Sequence, residues 1–168
     1  MADTSIARIG GWFATVADPQ LASIKWFSLQ MSPQAFPESW QMHPIPQRNI
    51  ACYELLAQII LLKLRADTWA ATTCPLTIQQ LSDNSPTIAA SGRLYSSATP
   101  MRYFVQLLAW WASKLRVNLQ VVHIPGKDNI WADHISRADP RTCDHLSPSL
   151  DRSPSLQSIL EPFLSALL

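Results

Sequence analysis

Charge is scarce in this chain, and the little there is nearly cancels. Asp, Glu, Lys and Arg make up 15% of the 168 residues against a hydrophobic share of 48%, and the formal net charge is +1; a typical domain has about a quarter charged residues. No strong field advertises a polyanion or a membrane as an autonomous partner. Cysteine is sparse too. Cys52, Cys74 and Cys143 are widely spaced and form no C-x-x-C pair, which argues against a disulfide framework or a zinc knuckle and points to a reducing compartment. There is no glycine-rich phosphate loop and no internal repeat. The start, "MADTSIARIGGWF", lacks a basic region followed by an apolar stretch, so the expectation is an intracellular protein of cytoplasm or nucleus that is not secreted. The most apolar run, "IACYELLAQIILLKL", is too short for a bilayer and carries Glu54 and Gln58, so no membrane is expected as a partner.

What is present fits one domain with a tail. From Asp3 to about Gln30, aromatic and β-branched residues alternate around the turn signals Asp18 and Pro19, which predicts two or three antiparallel strands. Pro33, Pro37, Pro44 and Pro46 then impose an extended connection. Asn49 is a candidate N-cap for a mostly buried helix reaching Arg65. "LTIQQLSDN" reads as a short strand with Asp83 at its carboxyl end, and Pro86 favours a helix start just beyond. A second helix spans "TPMRYFVQLLAWWASKL", with one apolar stripe facing a core. "VNLQVVHI" is a strand, followed by a turn at Pro125 and Gly126 and a helix begun at Asp128 or Asn129 that carries Asp133. The predicted order β-β-β-α-β-α-α-β-α is a mixed sheet with helices packed on it. Residues 1–139 form that domain. Residues 140–168 form a Ser/Pro-rich tail with a short terminal helix, expected to be dispensable for the fold.

In a chain so sparing with charge, Asp3, Glu54, Asp83 and Asp133 ask for a reason. Glu54 sits in a nearly all-apolar helix with Ile50, Ala51, Ala57 and Gln58 at helical spacing and no base among them, and an uncompensated carboxylate there costs several kcal/mol. Either it faces an exposed strip with Gln58 or it joins a site. Carboxylates that converge without bases are relieved by divalent cations, and hard oxygen donors suit magnesium or manganese. Two such ions can activate a water and stabilise the leaving oxygen in phosphodiester cleavage.

The same residues carry a resemblance. "DTSIARIGGW" at Asp3, "NIACYELLA" around Glu54, "LSDNSPTIAA" at Asp83 and "HIPGKDNIWADHISR" with His123 and Asp133 are similar, in order, to the signature blocks of the ribonuclease H family. The closest flavour is the domain that follows reverse transcriptase in retroelement (retrotransposon) polyproteins. The resemblance implies an α/β fold with a mixed five-stranded sheet, three strands antiparallel and two parallel, flanked by helices. With only Met1 and Ala2 before Asp3, a truncated first strand is expected. It implies a hydrolase that cleaves the RNA strand of an RNA/DNA hybrid, with two Mg2+ ions (Mn2+ as substitute) held by Asp3, Glu54, Asp83 and Asp133. His123 would assist metal exchange or product departure, and Asn84, Ser85 and Asn129 would meet the nucleic acid or hold the loop. An upstream reverse transcriptase domain would be a natural neighbour. Structural readings stand beside these roles: Asn129 as a helix cap, Asn84 and Ser85 as turn residues before Pro86. A catalytically degenerate nucleic-acid-binding domain is the alternative to the enzyme.

Overall fold

The alternating segments around Asp18 and Pro19 fold as an antiparallel pair. In a computed structural model, which describes residues 7–14, 24–68, 74–137 and 155–167, β1 (Ala7–Ala14) pairs with β2 (Ile24–Met31) in a register running from Ala7 opposite Met31 to Ala14 opposite Ile24. After the proline-rich connection comes α1 (Ile50–Ala66), which buries Tyr53, Leu55, Leu56, Ile59, Ile60 and Leu62. Asn49 precedes it but does not cap it. Its amide instead donates to the His43 carbonyl at 2.8 Å, and its Oδ1 accepts from the His43 N–H at 3.0 Å, so this residue clamps the connection rather than the helix.

β3 (Leu76–Ser82) and β4 (Val117–His123) form a parallel pair, Leu76 opposite Val117 and Ser82 opposite His123. Between them lie α2 (Ser85–Arg93) and α3 (Met101–Leu115); α4 (Ile130–Ser136) follows β4 and α5 (Leu156–Ser165) comes last. The mixed α/β class stands. Among the described residues, however, the strands make two separate two-stranded sheets, β1–β2 and β3–β4; the first six residues, where an earlier strand was expected to end, lie outside them. No helix among the described residues is long and apolar enough to cross a membrane.

The main core lies between α1, α3, the β1–β2 pair and α5. Trp40 stacks on Tyr103 with ring centroids 5.4 Å apart and meets Phe104 edge-on. The short terminal helix is present and packs on this core. Residues 140–154 lie outside the description, but Ile159, Leu160 and Phe163 of α5 are buried in this core, and Trp111 Nε1 donates to the Ile159 carbonyl at 3.1 Å. The end of the chain is therefore part of the domain's packing, not an appendage. Amphipathic spacing alone did not reveal the docking surface.

Candidate active site

The site is built where β3 and β4 end. Asp83 follows the last residue of β3 directly, and His123 is the last residue of β4, opposite Ser82, on the strand itself rather than on the loop beyond. The parallel ladder continues one step as Ile124 N donates to the Ser82 carbonyl at 3.0 Å. Next comes the turn through Pro125 and Gly126. A Cβ added at Gly126 would stand 3.3 Å from Asp83 Oδ2, so the turn lies directly against the carboxylate. Asn129 then donates from Nδ2 to Asp83 Oδ1 at 3.3 Å. It stands at the N-cap position of α4 but makes no side-chain cap bond; its amide orients the aspartate instead.

α4 is held over this end by β1 and β2. Ser28 Oγ donates to the Ile135 carbonyl at 2.9 Å. A Cβ at Gly10 would fall 2.7 Å from both Ile135 Cγ2 and Ser136 N, so only glycine lets the helix approach this closely. The paired glycines in "IGGWF" were the one sequence signal for that contact. Trp131 packs on Trp12 with centroids 5.2 Å apart. This seat fixes Asp133, which also pairs with Arg137 Nε at 2.9 Å.

Glu54 approaches from below, on α1. It is half-buried and lines a cavity of about 700 Å³ together with Gln58, Leu61 and Arg65 of the same helix, Gly10 to Phe13 of β1, Gln79 to Ser82 of β3, and Asp128 and Asn129 of the turn. The exposed-strip reading of Glu54 and Gln58 thus gives way to a strip facing a cleft. Burial pushes the Glu54 carboxyl up to about 7, and the nearby charges of Asp83 and Asp133 push it the same way. Three carboxylates far apart in sequence therefore share one electrostatic neighbourhood. Asp3 lies outside the described residues. Glu38 stands on a short helical turn of the connection and Asp67 pairs with Lys63; neither is among the charges acting on Glu54.

Asn84 and Ser85 have local work. Asn84 caps α2, its Oδ1 accepting from Thr87 N at 2.9 Å and Thr87 Oγ1 at 3.0 Å, while Ser85 opens the helix and is exposed. The single Thr87 Oγ1 proton is shared with the Ala51 carbonyl at 3.1 Å, tying α2 to the helix that carries Glu54.

No family model, curated protein or solved structure matches the chain. The chemistry of the site therefore rests on its own residues. Its donors are carboxylate oxygens, the kind that magnesium and manganese take. Among the described residues no three His, Cys, Asp or Glu side chains stand close enough to enclose an ion by themselves. The donor chemistry nevertheless fits a partly hydrated cation, which needs only one or two carboxylates. The Asp133–Arg137 pair is no obstacle, because both side chains are substantially exposed and such a pair is worth about 1 kcal/mol or less.

Proposed function

We propose that the chain is a ribonuclease H-like domain of retroelement origin that hydrolyses the RNA strand of an RNA/DNA hybrid. The observation that carries this reading is that Glu54, which lines the cleft, feels the charges of both Asp83, at the carboxyl end of β3, and Asp133 of α4. Motifs similar in order to those of the ribonuclease H family put the same three residues in one chemical role. In this reading Asp3 is the fourth carboxylate, and the two strand pairs belong to one five-stranded sheet.

Magnesium or manganese, held by these four carboxylates, would supply an activated water and offset the charge of the phosphate. The reaction adds the water oxygen to the scissile phosphorus and breaks the bond to the 3′ oxygen. That oxygen leaves with a proton as a 3′ hydroxyl, and the 5′ phosphate stays on the other fragment. Glu54 and Asp83 would be among the carboxylates that hold the metal, Asn129 would keep Asp83 oriented, and His123 on the neighbouring strand end would assist departure of product. A reverse transcriptase domain ahead of this chain is the partner that such a role calls for.

A second reading has its own observation in favour: among the described residues the acids do not close around an ion. That is the pattern of a degenerate domain that binds the hybrid without cutting it. A labelled RNA strand, paired with DNA and incubated with magnesium or with chelator, separates the two. Cleavage only with magnesium, with double-stranded DNA left intact, supports the enzyme; retention of the hybrid without cleavage supports the binding domain.

A further inference from the structure

Two glutamines are buried where α1 lies along β3: Gln58 is 6% exposed and Gln80 3%. Neither has a task in the chemistry proposed above. Glu54, Gln58, Leu62 and Arg65 share one stripe of α1 by helical spacing, and the rest of that stripe is fastened to β3. Gln58 Nε2 donates to the Leu81 carbonyl at 3.2 Å, Leu62 packs with Ile78, and Arg65 Nη1 donates to the Gln79 carbonyl at 3.0 Å. Gln80 answers from the strand. In the amide orientation its neighbours require, its nitrogen donates to Gln58 Oε1 at 2.8 Å and to the Gln58 carbonyl at 3.0 Å, while its oxygen accepts from Leu62 N at 3.2 Å. One strand side chain therefore grips the backbone of α1 at the step between Gln58 and Leu62.

Apolar packing alone would fix this helix poorly. The residues that α1 buries are mostly Leu and Ile, and such side chains tolerate one another's places when volume is conserved. A buried amide does not. Moved off its partners it is left unsatisfied in a medium where that is costly, which is how one buried asparagine can set the register of a coiled coil. Register matters here because Glu54 lies one helical turn before Gln58, and Asp83 follows Gln80 by three residues. Turning α1 by a single residue would swing Glu54 through about 100°.

We propose that Gln58 and Gln80 are positioning residues: their amide pair sets the turn and height of α1 on β3, and through it the place of Glu54 relative to Asp83. Neither glutamine touches metal or substrate; both act through the carboxylates. Two apolar side chains of the same size would fill the space at little cost in stability, since replacing both partners of a buried polar pair is often nearly neutral. What such a replacement gives up is alignment. The inference rests on the reading of these carboxylates as a metal site.

The test replaces both glutamines in the full chain by methionine, which is likewise unbranched and carries no strong polar group. Gln58→Met or Gln80→Met alone strands a buried amide and should lower Tm by roughly 3–8 °C, whereas the double variant should melt within about 3 °C of the parent or above it. Its affinity for Mn2+, read from the electron paramagnetic resonance of the free ion, should nevertheless fall by at least about tenfold, as when a ligand loses its orienting partner. A pair that only stabilises the fold would leave that affinity alone. Unchanged Mn2+ binding by the folded double variant overturns the inference. Should the double variant not fold, Gln58→Met alone, which leaves Gln80 bound to the α1 backbone, is judged by the same affinity. A parent that takes up no Mn2+ contradicts the metal-site reading instead. The alignment of α1 is then decided without metal by nuclear Overhauser contacts between Ala51 and Thr87, which share a hydrogen bond in the parent: their loss in the double variant supports the inference and their full retention overturns it.

Discussion

Glu54 holds its proton to about 7 in the folded chain because burial, and then Asp83 and Asp133, disfavour its charge. Unfolded, it would titrate near the ordinary value of about 4.3. Since the folded state binds this proton more tightly, the stability it contributes is fully present below the unfolded value and is lost as pH rises through about 7. The loss is at most about 4 kcal/mol. Urea unfolding at pH 5 and pH 8 should therefore show Glu54→Gln nearly equal to the parent at the lower pH and more stable at the higher. Equal effects at both would mean that the carboxyl is not so placed. Magnesium should stabilise the parent more at pH 8 than at pH 5.5, where the Glu54 proton competes with it. Asn129 offers a complementary case: its bond to Asp83 lies at the surface, so Asn129→Ala should change stability little but weaken metal-dependent activity by about 10- to 100-fold, the usual cost of losing a ligand's orienting partner. Nothing in the sequence separated this role from helix capping, because an asparagine one residue before a helix reads the same either way.

Among the elements, α4 and α5 carry the clearest tests. The 2.7 Å approach at Gly10 predicts that Gly10→Val displaces α4 from β1, moving Asp133 and lowering activity, whereas Gly92→Ala, with open space around its Cβ, should leave activity unchanged and add about 0.4–1 kcal/mol by restricting the unfolded chain. Chemical unfolding of both variants alongside the activity measurement checks this. For α5, Phe163→Ala should cost about 3–5 kcal/mol, and a chain ending at Arg137 should lose much of its cooperative thermal transition. Helix α1, strand β3 and strand β4 were legible because burial on most sides and short β-branched runs bounded by turns leave few alternatives. The docking of α5 was not, because Ile159, Leu160 and Phe163 would space the same way on a helix lying free. Nor does a hydrophobic alternation say which strand neighbours which, so the pairing of β1 with β2 and of β3 with β4 had to come from structure.

For the molecule as a whole, the sequence made Glu54, Asp83 and Asp133 suspects through their apolar surroundings and their order, and folding brings the charges of Asp83 and Asp133 to bear on Glu54. Asp3, the fourth suspect, lies outside the described residues. What spacing could not supply was the supporting pair of Gly10 and Ser28, whose contacts depend on how α4 lies across β1 and β2. The central claim is that these carboxylates form one hydrolytic centre for RNA paired to DNA. Its most direct test is the rate at which the full chain nicks the RNA strand of a hybrid in magnesium, measured beside Asp83→Asn at matched folded concentration. The account predicts cleavage by the parent and none by the variant, since one amide replaces one metal-binding charge at nearly constant shape. Equal rates from the two proteins would contradict it.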